Sequence, residues 1–163
     1  MPENEYEYIS DEMLAAVGKE GSPTTFEVDK TMIRMFARAV GYTDPVYYDE
    51  KAAQAAGYRS LPCPPGYLGT PVFNPKRESS GPGPMSFGPA PKKPLTRLLN
   101  GGTQLEFFGD ICAGDVLTST GHLAEIAETK GSLGTMVVMT NKSVYKNQDG
   151  EVVAISTGTV LRY

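Results

Sequence analysis

Two tyrosines flank an Asp-Pro turn in the segment 41–49, which reads Gly-Tyr-Thr-Asp-Pro-Val-Tyr-Tyr-Asp. Proton transfer at neutral pH works best with groups whose pKa lies near the operating pH, and an unperturbed phenol titrates near about 10. Tyr42 and Tyr47 are therefore suited to donating hydrogen bonds, or to packing as ordinary loop aromatics after a helix. They are poorly suited to serve as an acid–base pair.

Few other residues could carry chemistry. His122 is the only histidine, which excludes paired-histidine metal sites and most histidine-based triads within one chain. Cys63 and Cys112 suggest no disulfide framework and have no zinc-type spacing, so they are interpreted as small buried residues of a reduced compartment. No phosphate-binding glycine loop or dinucleotide fingerprint follows a strand. We predict no metal and no cofactor.

Length and charge favour one ordinary domain. The chain has 163 residues and a net charge of −4, which fits a single core and gives no reason to expect nucleic acid as a partner. No apolar run approaches the roughly 18 residues of a membrane span. The acidic N-terminus lacks the apolar core of a signal peptide, so a cytoplasmic protein is expected.

Capping residues predict the helices that must position the 41–49 segment. Ser10 can cap a helix over 11–17, and Asp29 can cap a longer helix that ends at Gly41. Asp49 can cap a short helix over 50–56. A β-branched and aromatic run over 24–28 predicts the first strand. The apolar face of the longer helix is predicted from spacing to comprise Met32, Ile33, Phe36, Ala39 and Val40.

The second half predicts strands behind a long loop. Prolines hold 61–65 extended, and Gly66 with Tyr67 can open a short helix. The Pro-, Gly- and Ser-rich stretch 74–94 is predicted to be a loop insertion. Strands are predicted over 104–108, 116–126, 135–145 and 152–163, the last two joined by a hairpin turn at 147–150. This order is typical of an α+β fold, and periodicity alone does not choose a curved sheet wrapped on one helix over other α+β folds.

The 41–49 segment resembles the hydratase motif of MaoC-like (R)-specific enoyl-CoA hydratases and dehydratases, which reads roughly Gly-Asp-x-Asn-Pro-Leu-His-x-Asp. In that family the Asp and the His, with four residues between them, hold and activate water. Gly41, the Asp44-Pro45 turn and Asp49 keep the frame, whereas Tyr42 and Tyr47 occupy the two catalytic places. Weaker similarities follow in order at 36–41, 52–58, 64–68, 99–107, 113–117 and 145–153.

The resemblance implies a single hot-dog domain over 1–163, a curved antiparallel sheet around a central helix, with an acyl-CoA thioester as substrate. The N-terminal dehydratase-type branch is the most similar, and there one domain often lacks the Asp and His and forms the acyl tunnel. The implied role is a non-catalytic subunit of a heterodimer or heterotetramer whose partner hot-dog supplies the dyad, with a homodimer left open. Two alternatives remain: a self-sufficient hydratase or thioesterase using other residues, and a scaffold module.

Site residues are expected from the same resemblance. Tyr47 would line the acyl channel, and the amides of Gly66 and Tyr67 would bind the thioester carbonyl at a helix start. Further substrate contacts are expected at Asp44 and Pro65. CoA phosphates would meet four cations of the loop insertion: Lys76, Arg77, Lys92 and Lys93. His122 is interpreted as an ordinary strand histidine and Asp115 as a turn residue.

Overall fold

The computed structural model describes residues 6–69, 89–132 and 134–163. Three helices precede most of the strands: α1 (Asp11–Ala16), α2 (Lys30–Ala39) and α3 (Glu50–Ala55). Short 3-10 turns lie at Pro45–Tyr47 and Tyr67–Gly69. The strands are β1 (Thr24–Glu27), β2 (Leu98–Phe107), β3 (Val116–Gly131), β4 (Gly134–Lys146) and β5 (Val152–Arg162). No helix within these ranges is long and apolar enough to cross a membrane.

The predicted caps begin all three helices. The side chain of Ser10 accepts from the Met13 amide, that of Asp29 from the Thr31 and Met32 amides, and that of Asp49 from the Lys51 amide. Each cap satisfies an amide that a helix start leaves without an intrahelical partner. Local chemistry therefore fixes where the helices around the 41–49 segment begin.

The strands form one antiparallel sheet in the order β1-β3-β4-β5-β2. The β4–β5 hairpin turns at Asn147, whose amide donates to the Glu151 carbonyl at 3.0 Å. An α+β domain with a five-stranded antiparallel sheet and few helices is therefore confirmed. Most of the predicted 74–94 loop, and the expected course of a central helix, fall on residues 70–88, which lie outside the residues that the structure describes.

One face of the sheet carries the main core. Leu117 of β3 and Tyr145 of β4 pack against Ile33 of α2 and against Leu61 and Leu68 of the proline-rich segment. The Tyr145 hydroxyl donates to the Leu68 carbonyl at 3.0 Å, so this buried phenol is satisfied. The core thus holds α2 and the 61–68 segment on the sheet.

The apolar face predicted for α2 is partly wrong. Ile33 is fully buried and the ring of Phe36 packs on the core, but Met32 and Val40 are 45% and 48% exposed. The apolar arc of α2 is wider than the part of the helix surface that packs on the core. Spacing identified the arc but could not show which part of it the core uses.

Strand β2 is longer than predicted, since it begins at Leu98 rather than at residue 104. The Asn100-Gly101-Gly102 run has the composition of a turn, but it forms an irregularity within the ladder to β5. A Cβ on Gly101 would lie 2.6 Å from Leu161 Cδ1 and 3.3 Å from the Thr159 carbonyl oxygen, so a larger residue there would require the Leu161 side chain to shift.

A separate cluster covers the far end of the same sheet face. Ile9 and Met13 pack on Val137 and Met139 of β4. The Glu128 carboxylate on β3 anchors this N-terminal segment by accepting three backbone amides, from Glu7 (3.0 Å), Tyr8 (2.6 Å) and Ile9 (2.8 Å). The segment is therefore held by both apolar packing and a charge-assisted hydrogen-bond set.

Candidate functional site

The 41–49 segment is shaped by the acidic residues of its frame. Asp44 accepts the Val46 amide at 3.0 Å and caps the 3-10 turn that Pro45 begins. The Tyr48 hydroxyl donates to the Tyr42 carbonyl, and Arg34 Nε donates to the Tyr48 carbonyl at 3.1 Å. Asp44 thus positions the turn that carries Tyr47, since its carboxylate is engaged by the chain itself.

The two tyrosines form one aromatic unit. The rings of Tyr42 and Tyr47 stack with centroids 5.7 Å apart and planes 28° apart. Burial raises the pKa of Tyr47 above its ordinary value, and the negative charge of Asp44 adds to the effect. Tyr47 is therefore a protonated hydrogen-bond donor at neutral pH and cannot serve as the base that activates water.

Tyr47 lies in an open cleft of about 190 Å³. One wall comes from the segment after α3, another from the end of β2 and the turn that follows it. The lining residues are Tyr47, Tyr58, Pro62, Cys63, Pro65, Phe107, Gly109, Asp110 and Ile111. Of the residues predicted to contact substrate, the cleft brings together Tyr47 and Pro65. The lining was otherwise missed, although the Leu-Pro-Cys-Pro-Pro run and the Gly-Asp pair at 109–110 were both visible in the sequence.

The cleft contains a thiol that is not a nucleophile. Burial raises the pKa of Cys63 to about 12, with the charges of Cys112 and Asp115 as smaller contributions. A nucleophilic cysteine needs the thiolate form, so Cys63 is an apolar wall residue. Asp110 is the one carboxylate among the lining residues.

A buried ion pair ties the two walls together. The Asp115 carboxylate accepts from Arg59 Nη2 and from the Cys112 amide, the latter at 2.8 Å. Its side chain is 2% exposed and that of Arg59 is 54% exposed. Arg59 follows Tyr58 on one wall, and Cys112 follows Ile111 on the other. Asp115 is therefore more than the turn residue that was predicted, because it fixes the spacing of the cleft.

The thioester contacts expected at the Gly66 and Tyr67 amides stay a prediction, and the Tyr67 amide has a partner within the chain. The Tyr67 amide donates to the Pro64 carbonyl at 3.0 Å, and its ring packs edge-on against Phe36 at 5.9 Å. Gly66 has a φ of 86°, and a Cβ there would lie 3.4 Å from Phe36 Cζ. The pair forms a tight turn at the start of the 3-10 segment Tyr67–Gly69, and residues 70–88 lie outside the part of the chain that the structure describes.

Two of the four cations predicted to meet CoA phosphates, Lys92 and Lys93, contact the N-terminal segment. Lys92 Nζ donates to the Tyr6 carbonyl at 3.0 Å, and Lys93 Nζ to the Glu7 carboxylate at 3.1 Å. Glu128 holds the same N-terminal segment through the amides of Glu7, Tyr8 and Ile9. Lys76 and Arg77 lie outside the described residues, so their phosphate role stays a prediction.

His122 lies on β3, half-buried, opposite Lys142 in the ladder to β4 and bridged to Glu20 on its other side. It is not among the cleft-lining residues. It is a strand histidine, as expected.

Comparison with known proteins gives a consistent result. The family model described as FAS1-like, dehydratase domain region, matches residues 15–156. A probable enoyl-CoA hydratase alpha subunit from Thermomonospora curvata is 31% identical over 83% of this chain, and the chain spans 45% of that relative's length. Among solved structures, the HadBC (3R-hydroxyacyl-ACP dehydratase) complex from Mycobacterium tuberculosis has a TM-score of 0.67 at 20% identity, covering 90% of this chain and 96% of that one. A MaoC-like dehydratase from Rhodospirillum rubrum has a TM-score of 0.63 at 23% identity, covering 91% and 92%.

Proposed function

This chain belongs to the FAS1-like dehydratase region family and has the MaoC-like hot-dog fold, and from that premise we propose that it is the substrate-shaping subunit of a heteromeric enoyl-CoA hydratase or 3-hydroxyacyl dehydratase. It binds part of an acyl-CoA thioester in the cleft beside Tyr47. A partner hot-dog chain supplies the acid–base pair.

The state of Tyr47 is the observation that carries this proposal. In the motif that the 41–49 segment resembles, Tyr47 takes the place of the catalytic histidine. Its ring lines the cleft, and burial raises the pKa of its phenol. Water addition to an enoyl thioester needs a base for the water. A protonated phenol can orient a thioester or its amide linker by donating a hydrogen bond, but it cannot remove the proton of a water molecule.

Cleft size supports a shared site. Pockets that hold a whole small-molecule ligand usually enclose roughly 300–1,000 Å³, whereas this cleft has about 190 Å³ and is partly open to solvent. It can hold a section of an acyl or pantetheine chain. The names of the similar proteins, an alpha subunit and a two-component complex, favour a second chain as the missing wall.

Hydration of crotonyl-CoA tests the proposal, measured on the purified chain alone and on the chain co-purified with a hot-dog protein that has an intact Asp/His pair. We expect activity only with the partner. Tyr47→Phe keeps the ring and should leave the rate within a few-fold, whereas Tyr47→Ala enlarges the cleft and should shift the preferred acyl length. His122→Gln, outside the cleft lining, is the matched control. A scaffold role would leave acyl preference unchanged by Tyr47→Ala, which would refute substrate shaping.

One observation favours a second candidate, a self-sufficient acyl-CoA enzyme. Asp110 places a carboxylate in the same cleft as the phenols of Tyr47 and Tyr58, and a carboxylate can act as a general base. Under this alternative the lone chain hydrates or hydrolyses an acyl-CoA, and Asp110→Asn abolishes that activity. Activity of the lone chain that survives Asp110→Asn would refute the role of Asp110 and assign the chemistry to other residues of this chain.

A further inference from the structure

Two segments of the cleft wall pair with each other over a short distance. The Cys63 amide donates to the Ile111 carbonyl at 2.7 Å, next to an antiparallel bridge between Pro62 and Cys112. This register places Cys63 directly opposite Ile111. Both residues also line the cleft, so the backbone groups of this pair lie in its wall.

The pair of Cys63 and Ile111 makes only one of its two possible backbone hydrogen bonds. Residues that lie opposite each other in this register ordinarily exchange both N–H···O bonds. Within residues 6–69, 89–132 and 134–163, however, the Ile111 amide donates to no group and the Cys63 carbonyl accepts from none. Pro64 has no amide that could extend the pairing. The wall of the cleft therefore presents one unpaired donor beside one unpaired acceptor.

Burial makes the unpaired amide unusual. Ile111 is 4% exposed, and the backbone amides of buried residues nearly always have a partner. A buried donor without a partner opposes folding. A ligand that accepts from the Ile111 amide and donates to the Cys63 carbonyl removes this penalty when it binds.

The charges around the pair favour a neutral ligand. The lining residues of the cleft include no lysine or arginine, and Asp110 contributes a negative charge. Arg59 lies within the electrostatic influence of Asp110, but its guanidinium is bound to Asp115. A phosphate or carboxylate would therefore be repelled. An uncharged group that carries a donor and an acceptor side by side fits, and a secondary amide is such a group.

Within an enoyl thioester, the pantetheine arm supplies that group. The enoyl chain and the thioester contain no hydrogen-bond donor. The hydroxyl of a 3-hydroxyacyl group donates and accepts at a single atom, whereas the pair offers its donor and its acceptor from two facing segments. The pantetheine arm contains two secondary amides, each with an N–H and a C=O. Coenzyme A and a phosphopantetheine-bearing carrier protein both have this arm.

We propose that Cys63 and Ile111 form a subsite for one secondary amide of the pantetheine arm. The Ile111 amide donates to the carbonyl of the ligand, and the N–H of the ligand donates to the Cys63 carbonyl. The inference rests on the proposed function, because it names the part of the acyl thioester that this wall of the cleft holds.

A matched pair of small substrates tests the subsite on the unmodified protein. The crotonyl thioester of N-acetylcysteamine has one secondary amide. The crotonyl thioester of mercaptoethyl acetate has an ester in its place, which lacks the N–H and is a weaker acceptor. In the complex with the Asp/His hot-dog protein we expect kcat/KM to be roughly three- to tenfold higher for the amide, the range that one to two net hydrogen bonds provide. In the lone chain, the amide compound should shift the NMR signal of the Ile111 amide more than the ester compound does.

A proline substitution tests the donor on the protein side. Ile111→Pro removes the N–H and keeps the carbonyl that pairs with Cys63. A merely structural loss would weaken both substrates alike, whereas loss of the donor should lower the amide-to-ester ratio by roughly threefold. The matched control is Gly109→Pro, because the Gly109 amide also has no partner within the described residues and a Cβ there would lie 3.9 Å from Val153 Cγ1. This control should keep the ratio. If Ile111→Pro does not fold, the substrate pair on the unmodified chain decides.

The carrier is identified by the KM of the Ile111→Pro complex. A rise in KM for crotonyl-CoA supports the subsite and assigns the arm to coenzyme A. A rise confined to a crotonyl carrier protein supports the subsite and assigns the arm to that carrier. No rise with either substrate would overturn the subsite.

Failure of the subsite and failure of the proposed function give different results. An active complex that uses the amide and the ester equally well would overturn the subsite while the proposed function stands. An equal fall of the ratio in Gly109→Pro and Ile111→Pro would overturn the assignment to Ile111. Absence of activity with the Asp/His protein would refute the proposed function. The shift of the Ile111 signal in the lone chain then decides the subsite, since its presence supports amide binding and its absence overturns it.

Discussion

Removing Arg59 should destabilise the fold more than removing the buried Asp115 with which it pairs. The ordinary expectation runs the other way, because Arg59 is at the surface and Asp115 is in the interior. The exposure of the two side chains gives the opposite order. The Asp115 side chain is 2% exposed and the Arg59 side chain is 54% exposed. Removing Arg59 therefore leaves a buried charge without its partner, whereas removing Asp115 leaves a charge that water can reach.

The expected loss of unfolding free energy depends on which polar group each substitution leaves without its partner. In Arg59→Ala a buried carboxylate keeps only the Cys112 amide as a donor, while Oδ1 has no hydrogen-bond partner in the structure described. Breaking a buried pair in this way costs about 3–5 kcal/mol. In Asp115→Ala the half-exposed guanidinium returns to water, and the main loss is the partner of the Cys112 amide, about 1–3 kcal/mol. We expect about 3 kcal/mol for Arg59→Ala and about 2 kcal/mol for Asp115→Ala, the first value at the low end because part of the pair is solvent-screened.

Urea unfolding followed by far-UV circular dichroism measures both, since the chain has no tryptophan for fluorescence. The double variant should lose less unfolding free energy than the two single variants together, by about 1 kcal/mol or more. The reason is that it leaves neither the Asp115 carboxylate nor the Arg59 guanidinium without its partner. Asp115→Asn is the conservative control: its amide oxygen can still accept from Cys112, so its cost should fall near 1 kcal/mol.

A single result would refute this reasoning. If Arg59→Ala lies within about 0.5 kcal/mol of the unmodified chain, the pair is an ordinary surface bridge. In that case the spacing of the cleft walls would be set by backbone pairing, such as the Cys63 amide to the Ile111 carbonyl at 2.7 Å, and the positioning role assigned to Asp115 would be wrong.

Three further predictions concern other parts of the fold. Burial works to raise the pKa of Glu128, but its three amide donors outweigh that effect and leave the pKa lowered. Its contribution to stability is therefore present above the unfolded pKa and is lost as pH falls through the folded one. Glu128→Gln should cost about 1–3 kcal/mol and accelerate amide exchange at Tyr8 and Ile9 by NMR; unchanged exchange would contradict the anchoring role. Gly66→Ala should cost about 1–2 kcal/mol because φ is 86°, and thermal unfolding at wild-type temperature would disprove that strain. Cys63, with a pKa of about 12, should have a thiolate fraction of about one in ten thousand at pH 8. We expect it to react with a thiol reagent only after denaturation. Rapid reaction of the native chain would show that the thiol is accessible as thiolate.

The elements that the sequence predicted are those with local causes. Ser10, Asp29 and Asp49 each begin a helix because a side-chain oxygen satisfies an amide two or three residues ahead. The Asn147 turn is equally local. Such features depend on a few neighbouring residues, so they can be inferred from one chain without knowing its tertiary contacts.

The missed features depend on distant contacts. The start of β2 was missed because Asn100-Gly101-Gly102 has the composition of a turn, whereas its conformation is set by pairing with β5 and by the close approach of Leu161. The ion pair of Arg59 and Asp115 joins residues 56 positions apart. Nothing in the residue types marks such a pair, because an aspartate after a glycine is usually a turn residue.

The cleft shows why shape and chemistry have to be separated in this family. Asp44 caps the turn, Pro45 begins it and Asp49 caps α3, so the local backbone follows the frame of the motif that the segment resembles. Tyr42 and Tyr47 occupy two other positions of the segment, and their rings stack on one another. The capping residues and the residues presented to the cleft are therefore different side chains, and one set can change without the other. Under the proposed function, this separation keeps the substrate beside Tyr47 and leaves the water-activating step to a partner chain, which the crotonyl-CoA assay on the lone chain tests.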